Sequence, residues 1–156
     1  SLKKITCHFF RRFKNQKIVF TNGCFDLIHV GHIQLLQAAR ALGDLLIVGI
    51  NSDESVHEIK GEGRPLIPGK ERLQILASLD CVDYLSVYSG STPNEMIQAL
   101  RPDVLVKGGN YSPEEVTGHE IVESYGGRVE LIRIKREVSV SGLVDHIVQR
   151  FGKETP

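Results

Sequence analysis

Two rhythms of apolar residues alternate along the chain. Short, nearly continuous runs fall at Lys17 to Phe20, Asp44 to Ile50, Cys81 to Val87, Val104 to Val106 and Arg128 to Ile134. Runs of that length and apolarity, D-L-L-I-V-G-I above all, predict parallel strands covered on both faces. Between them lie segments with helical spacing. Ile33 to Ala41 has apolar residues at 33, 35, 36, 38 and 39, and Gly43 is placed to close it as a C-terminal cap. Further helices are predicted over 53–59, Gly69 to Leu79, a segment opening at Thr92-Pro93-Asn94-Glu95 and running to Leu100, Val116 to Tyr125, and Ser141 to Phe151. In the first of the 92–95 set Thr92 reads as an N-cap, and the serines before the last helix as its caps. Strict alternation without repeat or linker predicts one α/β domain over 17–156, a Rossmann-like doubly wound parallel sheet. Residues 1–16 carry Leu2, Ile5, Phe9, Phe10 and Phe13 at the spacing of an amphipathic helix ended at Asn15, an N-terminal extension lying on that domain.

Right-handed crossovers bring the carboxyl ends of such strands to one edge, where open α/β sheets bind ligands. Four segments are expected there: 21–32, 51–53, 107–111 and 139–141. The first, T-N-G-C-F-D-L-I-H-V-G-H, is a strand emptying into a Gly-containing turn and a helix, the layout that offers backbone N–H groups to an anion. Within it His29 and His32 straddle Gly31, and imidazoles donate to phosphate oxygens. Asn51 and Asp53 end the second strand, and Lys107-Gly108-Gly109-Asn110-Tyr111 end the fourth. Lys60-Gly61-Glu62-Gly63-Arg64-Pro65, too rich in Gly and charge for core, is a mobile basic loop.

Composition narrows the partners. With 19 Lys plus Arg against 19 Asp plus Glu, the overall charge argues against non-specific nucleic-acid or membrane binding. Cys7, Cys24 and Cys81 form neither C-x-x-C nor a metal-like cluster and read as reduced thiols, no metal site is expected, and apolar runs are far short of a membrane span; a cytoplasmic protein is expected. No nucleophile and base pair with a supporting third residue is visible. The converging groups suit phosphoryl or nucleotidyl transfer, in which substrates supply the nucleophile and leaving group.

His29-Val30-Gly31-His32 (H-x-G-H), preceded by Gly23-Cys24-Phe25-Asp26 (G-x-F-D), resembles the signature of the nucleotidyltransferase superfamily that includes the cytidylyltransferases. Leu36 to Gly43, Val48 to Ser52, Lys60 to Pro65, Cys81 to Tyr84 and L-R-P-D-V-L-V-K-G-G-N-Y (100–111) further resemble the bacterial heptose 1-phosphate adenylyltransferases, over about residues 17–150. That resemblance implies transfer of AMP from ATP, accompanied by Mg²⁺, to a heptose 1-phosphate, giving ADP-heptose for lipopolysaccharide or surface glycan assembly. It implies a homodimer, and a stand-alone form of an activity often fused behind a sugar kinase.

On this basis His29, His32 and Lys60 are the expected catalytic residues. Asn22, Gly23, Cys24, Phe25, Gly31, Asn110, Ser139, Val140 and Ser141 are expected to bind nucleotide, and Asp26, Asn51, Asp53, Arg64, Lys107 and Gly108 the sugar phosphate. Duller readings stand beside these: Asp26 as a turn cap, Phe25 as core, Asn110 as a turn residue, Lys60 and Arg64 as a solvated loop. Two departures from the family's pattern matter: the usual S-T-T or S-T-S tract is Ser139-Val140-Ser141, and Asn110 stands where close relatives often have Asp; Cys24 also occupies a place where related proteins often have Thr. A cytidylyltransferase acting on glycerol 3-phosphate or a similar phosphorylated alcohol is the rival enzyme, and a nucleotide-binding domain without turnover the rival of another class.

Overall fold

A computed structural model describes residues 13, 15–134 and 139–152, so the helix expected over 1–16 lies almost wholly outside the described residues. Five strands, β1 (Ile18–Gly23), β2 (Leu45–Asn51), β3 (Tyr84–Tyr88), β4 (Val104–Gly108) and β5 (Arg128–Ile132), form one sheet in the order β3-β2-β1-β4-β5, every pair parallel. The helices are α1 (Val30–Arg40), α2 (Asp53–Lys60), α3 (Gly69–Ala77), α4 (Asn94–Leu100), α5 (His119–Ser124) and α6 (Val140–Phe151). The chain winds outward from β1 to β3, then returns to β4 on the other side of β1, so strand order reverses between β1 and β4. This is the doubly wound parallel fold the alternation predicted.

Period-two side chains divide the core. Val19, Leu46, Val48, Ile50, Val104 and Val106 face α1 and α3 and pack on Leu35, Leu36, Ala39 and Leu76. Ile18, Phe20, Ile47 and Leu105 face the other way, onto Met96, Ile97, Val116 and Val122. All seven residues of β2 are buried, as expected of a strand covered on both sides, whereas the edge strands β3 and β5 are half-buried to exposed.

Several boundaries differ from the sequence expectation, each for a local reason. Strand pairing starts after, not at, the polar residues that precede each run. Asp44, Asp83 and Asp103 stand in the connectors, and their carboxylates accept the N–H groups of Lys17 (2.7 Å), Leu46 (2.8 Å) and Ile18 (2.7 Å). Cys81 and Val82 are therefore turn, not strand. Gly43 is no left-handed cap: α1 ends in right-handed geometry at Ala41, and a Cβ on Gly43 would meet Lys17 O at 2.6 Å and Val19 Cγ2 at 2.7 Å. Its lack of a side chain lets the α1–β2 turn press on β1. Thr92 caps nothing, because α4 begins one residue beyond Pro93. The helix expected from Val116 starts only at His119, since Gly118 at φ 94° breaks it from a 3₁₀ turn at Pro113–Glu115. Ser139 does cap α6, accepting Gly142 N–H at 3.0 Å.

Candidate active site

A cavity of about 680 Å³ opens at the carboxyl ends of the strands, over the switch between β1 and β4. All four segments expected at this edge contribute to it: 22–32, Asn51, Lys107 with Gly108 and Tyr111, and 139–141. Among the sequence-named residues Asn22, Gly23, Cys24, Phe25, Asp26, His29, His32, Asn51, Lys60, Arg64, Lys107, Gly108, Ser139, Val140 and Ser141 line it. Gly31, Asp53 and Asn110 do not. Gly31 is buried beneath it, where a Cβ would come within 3.1 Å of the His29 ring and 3.3 Å of Ile134. Asn110 is exposed; its neighbour Tyr111 takes the place in the wall.

The turn after β1 is built by close approach. Phe25 adopts a left-handed φ of 49°, which folds its buried ring back so that a Cβ on Gly23 would lie 3.2 Å from it. The same ring sits 5.2 Å from that of His32. His29 caps α1, and its ring stacks on His32 with centroids 3.8 Å apart and planes at 27°. Burial, and secondarily the neighbouring His29, push His32 down to about 4; burial also lowers His29. Both are therefore neutral at pH 7. His32 Nδ1 accepts the backbone N–H of His29 at 3.3 Å, which assigns its proton to Nε2. The pair offers neutral N–H donors, not two cations.

Positive charge comes from elsewhere. Lys107 projects from β4 with Nζ donating to Asn22 O at 3.1 Å, and burial pushes it down to about 8, still mostly protonated at neutral pH. Lys60 ends α2 and Arg64 follows in the loop. Asp26, an acid in the same cavity wall, is committed: its carboxylate accepts Leu66 N–H, Ile67 N–H and Arg64 Nη1. Cys24 is held protonated, since burial raises its thiol despite nearby Lys60 and Arg72. It is no nucleophile at pH 7.

Two residues to which the sequence reading gave no role organise the rest. Arg72 of α3 is fully buried and gives its fork to Cys24 O (2.5 Å), Asn51 O (2.9 Å), Ile67 O (3.1 Å) and Asp53 Oδ1 (2.6 Å). One guanidinium thus ties the β1 turn, the end of β2 and the start of α3 behind the cavity. Burial alone raises the Asp53 carboxyl, but the Arg72 hydrogen bond, Gly69 N–H and Arg72 charge outweigh it and hold it below its usual value. Asp53 is thus part of this brace. Tyr88, at the end of β3, accepts from Asn22 Nδ2 (2.7 Å) and donates to Asn51 Oδ1 (3.0 Å); Asn51 Nδ2 donates to Ser55 Oγ (2.9 Å), which donates to Gly90 O (2.6 Å). Burial raises the Tyr88 phenol and keeps its proton in place. The position of Tyr88 at a strand's carboxyl end was the one available signal for it; Arg72 carried none, since a lone Arg in an amphipathic helix reads as surface.

A parallel α/β sheet whose switch-point crevice is lined, among the described residues, by imidazole and backbone donors and by the cations Lys60, Arg64 and Lys107 defines a phosphate-handling, nucleotide-binding protein. The comparisons give the family. The model of the cytidylyltransferase-like family matches residues 20–149, and the chain belongs to that family. It is 54% identical over 138 residues to a bifunctional protein HldE of Pelobacter propionicus, covering 88% of this chain and 28% of the relative. A bifunctional protein HldE of Geobacter metallireducens is 53% identical over 141 residues, with 90% and 29% covered. The chain thus spans about three-tenths of the length of these curated relatives. Two solved structures show the same fold: a lipopolysaccharide core biosynthesis protein from Thermoplasma volcanium (TM-score 0.65, 23% identity, 80% of this chain and 100% of that one) and a pantoate-beta-alanine ligase from Francisella tularensis (TM-score 0.63, 17% identity, 99% and 78%). Among the described residues no helix is long and apolar enough to cross a membrane.

Proposed function

We propose that this chain transfers AMP from ATP to a heptose 1-phosphate. A phosphate oxygen of the sugar attacks the α-phosphorus, the bond from that phosphorus to the bridging oxygen breaks, and pyrophosphate leaves. The observation that carries the reading is the composition of the cavity among the described residues: three cations, two neutral imidazoles, a capped helix start and no reactive nucleophile. Such a wall binds phosphates and leaves the substrates to react with one another. Half-identity with bifunctional HldE proteins over nine-tenths of the chain, and the K-G-G-N-Y segment, favour ATP and the heptose over CTP and glycerol 3-phosphate.

In this reading His32 Nε2–H and the His29 ring hydrogen-bond the charge that gathers on the α-phosphate and the bridging oxygen. Lys107 from below, Lys60 from the end of α2 and Arg64 from the loop spread the charge of the phosphates. The Ser139 to Ser141 turn, at the start of α6, supplies hydroxyl and backbone donors to the nucleotide. Among the described residues no group of three or more His, Cys, Asp or Glu is arranged to hold a metal ion, and Asp26 and Asp53 are already paired. Mg²⁺ would accordingly arrive on the triphosphate oxygens as part of the substrate, neutralising charge there. A homodimer in the cytoplasm, with lipopolysaccharide precursor synthesis as its setting, completes the proposal. Pyrophosphate release from ATP and heptose 1-phosphate tests it, with CTP and glycerol 3-phosphate in parallel: release from the latter pair alone assigns the rival chemistry.

A further inference from the structure

One carboxylate fastens the loop between α2 and α3 to the turn that leads into H-x-G-H. Asp26 is only 4% exposed and spans about 40 residues of sequence to do so. Its oxygens divide the work. Oδ1 accepts both Leu66 N–H and Ile67 N–H at 2.8 Å, while Oδ2 takes Arg64 Nη1 at 3.1 Å and a second contact with Leu66 N–H at 2.9 Å. Asp26 and Arg64 both line the cavity. Among the described residues Nη1 is the one guanidinium nitrogen engaged, so Nε and Nη2 keep their protons available.

A long Arg on a glycine-flanked loop has many rotamers, and each phosphate contact it makes must overcome that freedom. Anchoring one nitrogen on a fixed carboxylate removes most of it beforehand. A carboxylate already holding three donors, moreover, has little capacity left for a substrate hydroxyl and would repel a phosphate approaching it directly. We propose that Asp26 is a positioning residue that acts on substrate through Arg64: it locks the loop backbone and one guanidinium nitrogen, so that the remaining N–H groups of Arg64 face the phosphate chain in the cavity. The inference rests on the phosphate-transfer reading above, but not on the identity of the sugar.

The asymmetry of the two oxygens supplies a selective variant. In Asp26→Asn, an amide oxygen at the Oδ1 position keeps a bond to each of Leu66 N–H and Ile67 N–H, while the Arg64 tether and the second Leu66 contact at Oδ2 are lost. Binding of inorganic pyrophosphate to the intact chain is measured by calorimetry for wild type, Arg64→Ala, Asp26→Asn and the double variant. Arg64→Ala is expected to weaken affinity about tenfold, the usual scale for one charge-assisted hydrogen bond to phosphate. Asp26→Asn should weaken it by a similar factor, and the double variant no further than Arg64→Ala alone. Wild-type affinity in Asp26→Asn, or losses that multiply to about a hundredfold in the double variant, overturns the inference, because Asp26 would then act elsewhere or independently. Should Asp26→Asn not fold, Arg64→Lys decides: it keeps the charge but has no planar fork to bridge carboxylate and phosphate. It is expected to bind as weakly as Arg64→Ala, and wild-type affinity in it overturns the proposal. If the coupling holds while wild type releases no pyrophosphate from ATP with heptose 1-phosphate, the assignment of function fails and the inference stands. If pyrophosphate does not bind wild type at all, both fail.

Discussion

Replacing Arg72 by Met tests whether the floor of the cavity is held from behind. The side chain is completely buried and its fork serves three backbone carbonyls and one carboxylate. Methionine fills much of the aliphatic volume but donates nothing. Asp53 is 46% exposed at its side chain, so water takes over there and that ion pair contributes little. The Asn51 carbonyl is buried and those of Cys24 and Ile67 are part-buried, and each unsatisfied buried acceptor costs about 1–3 kcal/mol. Allowing for partial relaxation, a loss of about 3–5 kcal/mol is expected, the scale found when one partner of a buried charged network is removed. Domains of this size hold about 5–15 kcal/mol in total. At about 2–4 °C per kcal/mol, the melting temperature should fall by about 6–20 °C. Thermal unfolding followed by circular dichroism reads this directly, and turnover measured well below the new midpoint should also fall, because the β1 turn and the end of β2 lose their common anchor. A shift of less than about 2 °C would refute the reasoning. Arg72→Lys should fall between, since one ammonium cannot reach four acceptors arranged for a planar fork.

Other consequences follow from the same geometry. His32→Ala should lower kcat by about 10² with a smaller effect on KM, as removal of a transition-state donor does; an equal loss in KM alone would make it a ground-state binder. Lys107, pushed down to about 8, loses its proton as pH rises through that value, so pyrophosphate affinity in the free protein should decline there and Lys107→Met should abolish the decline. His32 at about 4 lies below its unfolded value of 6.5, so the unfolded chain binds more protons between them and stability falls as pH drops from 6.5 toward 4. His32→Gln should flatten that slope in urea titrations across this range. Gly43→Ala places a methyl against Lys17 O and Val19 and should cost about 1–3 kcal/mol in the same titrations.

The fold was legible because β2 and its neighbours are so apolar that burial on both faces was the only consistent reading, and because helical stripes separated them. The meeting of four chain segments at one edge followed from topology alone. Residue-level geometry was less accessible. The sequence offered Asp26 as a turn cap or a substrate ligand; the carboxylate is in fact occupied by the loop of Arg64, a partner 38 residues away. Gly31 was expected among the nucleotide-binding residues; the space where its side chain would stand is filled by His29 and Ile134. Gly43 looked like a helix cap because glycine after a helix usually is one; its close contact with β1 is a tertiary fact. Tyr88 and Arg72 act through hydrogen bonds across 37 and 48 residues, for which periodicity gives no sign. The neutrality of the two histidines likewise depends on burial and on their stacking, neither of which spacing specifies.

The most direct test of the central claim is pyrophosphate release by the purified chain given Mg·ATP and heptose 1-phosphate, with CTP and glycerol 3-phosphate run in the alternative combinations. Release that requires both ATP and the heptose, and that is lost in His32→Ala, is the predicted result. Release with CTP and glycerol 3-phosphate but not with ATP and the heptose would contradict the adenylyltransferase account, and binding of ATP without release from any pair would contradict catalysis itself.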